Sequence, residues 1–198
     1  MNQILSIEGP AGTIEAMLDR VSPTDSTIAI LCHPHPLYGG SMHDGVVDAA
    51  ASVLLNEGVS VLRFNFRGVG RSEGSHAKGE GEADDLAAVV AWALESCRSD
   101  SIIVAGYSFG ASVAWRAAHT LPKLVRLILI APPVGMMPFT SPAPACPVHV
   151  VYGDADEYID PAALAAWTGV TRHQVDGANH FFMGEWQGLT TALANALR

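Results

Sequence analysis

Short apolar runs that alternate with helical stretches constrain the fold of this chain more than any other feature. The runs are rich in Val, Ile and Leu, and they span Thr27–Cys32, Ser60–Phe66, Ser101–Ala105, Val125–Ala131 and Pro147–Tyr152. Strands that are buried on both faces have this composition, and such strands belong to parallel sheets. Helical patterns follow at His43–Asn56, Glu82–Ser96, Phe109–Leu121, Pro161–Trp167 and Gly184–Leu197. The alternation predicts an α/β sandwich.

Two further strands are predicted at the amino end. The runs Gln3–Glu8 and Thr13–Asp19 are joined by Gly-Pro-Ala-Gly, a sequence that is typical of a tight turn. With another strand-like run at Thr171–Val175, they bring the expected sheet to seven or eight mostly parallel strands. The chain has the length of one domain, so we expect residues 1–198 to form a single one.

Composition excludes several classes of protein. Apolar residues make up 49% of the chain and charged residues 16%, which excludes an intrinsically disordered protein. Acidic residues outnumber basic residues by 20 to 11, and the net charge of −9 disfavours a nucleic-acid partner. The longest apolar stretch, Leu127–Phe139, is interrupted by prolines and is too short to span a membrane, so we expect no membrane partner.

Cysteine usage and the amino terminus bear on the compartment. Cys32, Cys97 and Cys146 are odd in number and lack a C-x-x-C spacing, which favours reduced thiols over a disulfide framework. The first residues lack the basic segment and the long apolar segment of a secretory signal. We therefore expect a cytoplasmic protein.

The motif with the clearest chemistry is G-x-S-x-G at Gly106–Gly110. A predicted strand precedes this motif and an Ala-rich helical pattern follows it, so the chain must turn sharply at Ser108. Such a turn exposes the serine hydroxyl, and the two glycines leave room for the neighbouring backbone. The pattern predicts a nucleophilic serine, and the alternative is a glycine turn with an incidental serine.

A nucleophilic serine needs a histidine base and a carboxylate that orients the base. His180, in a Gly-Ala-Asn loop before the last predicted helix, is the preferred base. Several carboxylates follow the strand that ends near residue 152, where open α/β sheets place their sites. Asp160 has the position of a helix N-cap, and Asp154 is placed to bind loop N–H groups. Asp156 is therefore the preferred acid, with Glu157 as the next candidate.

Four segments together resemble a known family. They are Cys32–Gly40 (CHPHPLYGG), Arg63–Gly74 (RFNFRGVGRSEG), Gly106–Gly110 (GYSFG), and Gly153–Asp156 with Gly177–His180. In this order they resemble small, lid-less bacterial members of the α/β-hydrolase superfamily, related to the dienelactone-hydrolase-like group. The resemblance implies a three-layer α/β-hydrolase fold without a cap domain.

The resemblance also implies a serine hydrolase with a catalytic triad of Ser108, Asp156 and His180. Dienelactone hydrolases use cysteine as their nucleophile, whereas this chain has serine. The expected substrate is therefore a small-molecule carboxylic ester or thioester, cleaved through an acyl-enzyme intermediate without a cofactor. The ends of such a sheet are exposed, so a homodimer is plausible in this class of fold.

In this superfamily an oxyanion hole combines two backbone N–H groups. One is that of Phe109, and the other comes from the loop after the third strand. The resemblance places this donor two residues beyond the histidine that follows the strand, which makes His35 the preferred donor and Leu37 the fallback. Pro34 and Pro36 in the same loop have no N–H to give. Mostly apolar side chains near the catalytic segments are expected to line the substrate pocket. These are Tyr38, Met42, Met136, Met137, Phe139, Phe181 and Phe182.

The sequence admits two other functions. His33 and His35 form an H-x-H pattern near His43, which suggests a metal-dependent hydrolase. Leu37 stands where the aspartate of the H-x-H-x-D-H metal motif belongs, so we expect no metal. The other alternative is an α/β-hydrolase fold that binds without turnover, although the complete triad favours an enzyme.

Overall fold

An eight-stranded sheet forms the centre of the molecule. The computed structural model describes residues 2–22 and 25–198. The strands are β1 (Asn2–Gly9), β2 (Gly12–Asp19), β3 (Thr27–Cys32), β4 (Ser60–Phe64), β5 (Ser101–Tyr107), β6 (Leu124–Ile130), β7 (Val148–Gly153) and β8 (Val170–Val175). They lie side by side in the order β1-β2-β4-β3-β5-β6-β7-β8.

Most of the sheet is parallel, as the continuous apolar runs predict. The neighbouring strands from β4 through β3 to β8 pair in parallel. The amino-terminal hairpin differs, because β1 pairs antiparallel with β2 and β2 pairs antiparallel with β4. All residues of β4 are buried, and so are all but the first of β3. The predicted mostly parallel sheet of seven or eight strands is confirmed.

Helices cover both faces of this sheet. They are α1 (Gly45–Asn56), α2 (Glu80–Ser96), α3 (Phe109–Ala118), α4 (Pro161–Ala166) and α5 (Trp186–Leu197). Side chains of α2, α3 and α4, such as Leu86, Val113 and Leu164, belong to one apolar cluster. Side chains of α1 and α5, such as Val47 and Leu193, belong to a second one. The three-layer α/β architecture is therefore confirmed, and no helix in the described ranges could cross a membrane.

The structure departs from the sequence prediction mainly at the ends of elements. β4 ends at Phe64, two residues earlier than predicted. The backbone N–H of Phe66 donates to His33 Nε2 at 3.0 Å instead of joining a strand. α1 begins two residues later than predicted, at Gly45, because Asp44 caps it. In both cases a hydrogen bond to a side chain determines where the element begins or ends.

A proline-rich segment connects β6 to β7. It spans residues 131–147 and contains six prolines. The segment has no helix or strand of its own, and one isolated bridge joins Val134 to Met137. Proline lacks an N–H and fixes φ, which explains the extended path.

The carboxyl ends of the parallel strands gather the functional loops at one edge. β3, β5, β7 and β8 run in the same direction, so the residues that follow them meet at this edge. Ser108 follows β5, Asp156 follows β7 and His180 follows β8. The topology thus brings together residues that are far apart in the chain.

Candidate active site

Ser108 lies in a sharp turn between β5 and α3. Its backbone has φ 53° and ψ −116°, a combination that residues other than glycine rarely adopt. A Cβ atom on Gly106 would collide with the backbone of Gly110. A Cβ atom on Gly110 would collide with the carbonyl groups of Cys32 and His33. The two glycines therefore allow the turn to lie directly against the loop after β3.

His180 lies beside this serine. Its Nε2 is 2.9 Å from Ser108 Oγ. The imidazole is buried, and the His180 carbonyl oxygen accepts a hydrogen bond of 3.1 Å from the Tyr107 hydroxyl. Phe182, two residues further on, has a fully buried ring. These contacts hold the loop of His180 against the turn at Ser108.

Asp156 lies on the other side of the imidazole. Its Oδ2 and Oδ1 are 2.8 Å and 3.0 Å from His180 Nδ1. The carboxylate is fully buried, and its Oδ1 also accepts the backbone N–H of Tyr158 at 2.9 Å. A carboxylate in this place keeps a proton on Nδ1, so Nε2 is free to accept a proton from the serine.

The other carboxylates of this loop have different surroundings. Asp154 accepts the N–H of Gly177 at 2.6 Å and ties two loops together. Asp160 accepts the N–H of Ala162 at 2.9 Å and caps α4. Glu157 is exposed. Of these carboxylates, Asp156 is the one that lies within hydrogen-bond distance of His180.

Two backbone segments border the serine as candidate oxyanion donors. Phe109 is the first residue of α3, where an N–H has no acceptor within the helix. The N–H of Leu37 donates to His35 Nδ1 at 3.2 Å. The rings of His35 and Phe109 lie 4.8 Å apart, so the two segments are adjacent. Because the Leu37 N–H is already used, this geometry favours His35 over Leu37.

His33 is part of the scaffold of this loop. Its Nδ1 donates to the carbonyl oxygen of Pro34 at 2.7 Å, and its Nε2 accepts from Phe66. Burial lowers the pKa of His33 to about 4, which keeps the imidazole neutral. Neither nitrogen is left for a metal ion, and the described residues contain no cluster of three or more His, Cys, Asp or Glu that could hold one. The H-x-H pattern thus forms a fixed turn.

The side chains predicted to line the pocket have different environments. Tyr38, Met136 and Phe181 are exposed, at 88%, 65% and 50%. Met42 and Phe182 are buried in the core, at 1% and 0%, so the expectation that they line an open pocket is wrong. Burial in the apolar core stabilises such side chains more than contact with a solvated cleft does.

The remaining two predicted pocket residues come from the proline-rich segment. The ring of Phe139 lies 5.0 Å from the ring of Trp167 and 6.3 Å from that of Trp115. Met137 also packs against the apolar cluster of α2, α3 and α4. Both side chains therefore cover the helix layer, and their packing attaches the segment to the fold.

Two tyrosines that contact His180 and Asp156 are not predicted from the sequence. Tyr107 anchors the backbone of His180, as described above. Tyr158 binds Asp156 through its N–H, and its ring lies 4.5 Å from the His180 ring. Tyr107 occupies a variable position of G-x-S-x-G, and Tyr158 lies two residues beyond the acid. No motif specifies either residue type, so the sequence offers no signal for them.

Comparison with protein families shows to which family the chain belongs. Residues 31–146 match the model of the alpha/beta hydrolase fold. The chain belongs to the α/β-hydrolase fold family. This α/β hydrolase is also 31% identical to an uncharacterized protein of Rickettsia prowazekii, over 96% of this chain and 86% of that protein.

Solved structures of similar α/β hydrolases cover almost the whole chain. An α/β serine hydrolase without a lid from Xanthomonas campestris is 40% identical, with a TM-score of 0.92 over 100% of this chain and 94% of that one. An α/β serine hydrolase homologue from Coxiella burnetii is 38% identical, with a TM-score of 0.91 over 99% and 97%. These relatives confirm the lid-less α/β-hydrolase fold and support hydrolase activity. The link to the dienelactone-hydrolase-like group stays a prediction.

Proposed function

We propose that this α/β hydrolase is a serine hydrolase that cleaves small carboxylic esters or thioesters. The observation that carries the proposal is the continuous line of hydrogen bonds from Ser108 through His180 to Asp156, at 2.9 Å and 2.8 Å. A serine hydroxyl becomes nucleophilic when an adjacent imidazole removes its proton, and a buried carboxylate holds that imidazole in the required tautomer.

The reaction has two stages. In the first, Ser108 Oγ attacks the acyl carbon while His180 Nε2 takes the serine proton and passes it to the leaving group. In the second, His180 activates a water molecule that releases the acid and restores the serine. Asp156 orients the imidazole and stabilises its protonated form in both stages.

Two backbone N–H groups would stabilise the oxyanion, those of Phe109 and His35. Both residues lie next to the turn at Ser108, since Phe109 directly follows the serine and the His35 ring lies 4.8 Å from the Phe109 ring. Removal of one such donor costs about 2.7–4 kcal/mol of transition-state stabilisation in serine hydrolases.

Small acyl groups fit the open surroundings of the serine. Leu37, Tyr38 and Phe181 are exposed, and the Xanthomonas campestris relative is described as having no lid. An open surface contacts a long acyl chain on one side only, so it buries less of the chain's apolar area than an enclosed tunnel would. We expect acetyl and butyryl esters to react with higher kcat/KM than long-chain esters, and a preference for long chains would contradict the proposal.

A fluorophosphonate probe tests the nucleophile. We expect the wild-type protein to be labelled and Ser108→Ala to remain unlabelled. Ser112→Ala is the matched control, since Ser112 lies in α3 just after Ser108 and its hydroxyl binds the carbonyl oxygen of Phe109. Absence of labelling in the folded wild type would favour a binding module. An activity that is lost with EDTA and ignores the probe would favour a metal-dependent hydrolase.

A further inference from the structure

An aromatic surface is exposed next to the proposed base. The ring of Phe181 lies 5.4 Å from the His180 ring and 6.4 Å from the Tyr158 ring, and it is close to perpendicular to both. The Tyr158 ring lies 4.5 Å from the imidazole. We call Tyr158 and Phe181 the aromatic corner. Half of the Phe181 side chain is exposed, although its neighbours His180 and Phe182 are buried.

The backbone holds the aromatic corner in place. Asn179 Oδ1 accepts the N–H of Phe181 at 3.1 Å and that of Met183 at 3.3 Å. The buried ring of Phe182 fixes the next residue. A phenyl ring has only two side-chain torsions, so Phe181 on this fixed backbone can contact a ligand at a low cost in conformational entropy.

The loops that carry the aromatic corner have negative charge. Residues 153–160 and 176–185 contain six acidic residues and no Lys or Arg. Asp154, Glu157 and Asp176 are among the exposed ones. The nearby guanidinium of Arg172 donates to the carbonyl oxygens of Leu164 and Trp167, at 2.7 Å and 2.6 Å, at the end of α4. A ligand that carries phosphate groups would therefore meet like charge here.

The proposed reaction indicates which half of the substrate would contact the aromatic corner. In the proposed reaction a bond forms between Ser108 Oγ and the acyl carbon, and the bond from that carbon to the leaving oxygen or sulfur breaks. The serine proton travels through His180 Nε2 to the leaving atom. The leaving group therefore departs beside the His180 imidazole, and the exposed Phe181 ring lies 5.4 Å from this imidazole.

We propose that the aromatic corner selects the leaving group and that it favours a flat, uncharged, apolar alcohol or thiol. The acidic loops disfavour phosphate-bearing thiols such as coenzyme A. This inference rests on the proposed serine hydrolase function and adds the class of leaving group to it.

Two thioesters with the same reacting atoms test the role of charge. Butyryl-coenzyme A carries phosphates, whereas the butyryl thioester of N-acetylcysteamine is neutral. We expect the neutral thioester to have the higher kcat/KM by about tenfold at low salt, and added salt to reduce the difference. Glu157→Gln should reduce the ratio, and Glu95→Gln, an exposed change on α2, should not. A preference for coenzyme A would overturn the proposal.

Two esters test the role of the rings. Phenyl butyrate and hexafluoroisopropyl butyrate release alcohols of similar acidity, one aromatic and one aliphatic. We expect Phe181→Ala to lower the phenyl-to-fluoroalkyl ratio of kcat/KM about fivefold to tenfold, through loss of ring contacts. Val125→Ala, an equally exposed change at the start of β6, should leave this ratio unchanged. An unchanged ratio in Phe181→Ala would overturn the proposal.

Fluorophosphonate labelling distinguishes a failure of the leaving-group inference from a failure of the proposed serine hydrolase function. The probe releases fluoride, so its reaction with wild-type Ser108 needs no contact with the aromatic corner. A labelled wild type without the expected leaving-group preference would contradict the leaving-group inference alone. A folded wild type without labelling would contradict the serine hydrolase function as well.

Discussion

The hydroxyl of Tyr107 donates a hydrogen bond of 3.1 Å to the carbonyl oxygen of His180, across 73 positions of the chain. Tyr107 directly precedes Ser108, so this bond joins the loop of the proposed base to the turn of the proposed nucleophile. Burial raises the pKa of the Tyr107 phenol, and the carboxylates of Asp44 and Asp156 add to the shift. The phenol therefore stays protonated and remains a donor.

Tyr107→Phe should slow catalysis without abolishing it. The variant removes the hydroxyl and leaves the His180 carbonyl oxygen without this donor. We expect kcat to fall about fivefold to tenfold with little change in KM, and the free energy of unfolding to fall by about 1 kcal/mol. Steady-state kinetics and urea unfolding measure both effects. Tyr152→Phe is the matched control, because its hydroxyl binds Gln174 on the surface. Equal kcat in both variants would refute a positioning role for Tyr107.

Asp156→Asn should cause a far larger loss than Asp154→Asn. The amide no longer stabilises the charged imidazole and favours the wrong tautomer, so we expect kcat to fall by roughly 10³- to 10⁴-fold. In Asp154→Asn the amide oxygen still accepts the N–H of Gly177, and the loss should stay below about tenfold. Ester hydrolysis at saturating substrate measures both. Similar losses in the two variants would contradict the assignment of the acid.

Acid should destabilise the protein through buried imidazoles. The pKa of His33 is lowered to about 4 by burial, and that of His149 is lowered to about 4 by burial, by Arg126 and by His173. An unfolded histidine has a pKa near 6.5, so between these values the unfolded chain binds protons that the folded chain does not. Stability is therefore fully present above about pH 6.5 and is lost as the pH falls toward about 4.

For His33 the expected loss in the free energy of unfolding is about 2 kcal/mol between about pH 7 and about pH 5, and about 3 kcal/mol once the pH has fallen to about 4. Urea unfolding at about pH 7 and about pH 5 measures how the free energy of unfolding depends on pH. His33→Gln should flatten it, whereas His119→Gln should not, since His119 is exposed. Stability that stays constant or rises on acidification would show that His33 is not buried in its neutral form.

Gly110→Ala should damage both stability and activity. The new methyl group would collide with the carbonyl groups of Cys32 and His33 and push α3 away from the loop after β3. We expect the free energy of unfolding to fall by about 1–3 kcal/mol and kcat to fall more than KM rises. Gly45→Ala is the control, because its methyl group would meet Trp186 at an ordinary 3.4 Å. Equal melting temperatures and kcat in the two variants would contradict this close approach.

The parallel sheet could be predicted because its signal is local. β3 begins and ends where its apolar run does, at Thr27 and Cys32. The end of β4 could not be predicted, since the N–H of Phe66 binds His33, a residue 33 positions away. Sequence periodicity carries no information on such a distant partner.

The candidate site also contains residues that the sequence predicts and residues that it does not. Ser108, Asp156 and His180 could be named from a motif and from the order of the strands, which fix where loops end. The pocket could not, as Phe181 and Phe182 show: they are identical neighbours, yet one is half exposed and the other is fully buried. Tertiary packing alone decides which of the two rings is exposed.

The proline-rich segment between β6 and β7 separates the proposed nucleophile from its acid and base along the chain. The portions on either side are also held by four parallel residue pairs of β6 and β7 and by the bond of 2.7 Å from the Asp160 N–H to the Val134 carbonyl oxygen. A proteolytic nick within residues 140–146 would thus create a bipartite enzyme, with Ser108 on one fragment and His180 on the other. Ester hydrolysis by the nicked protein would then require that the two fragments remain associated.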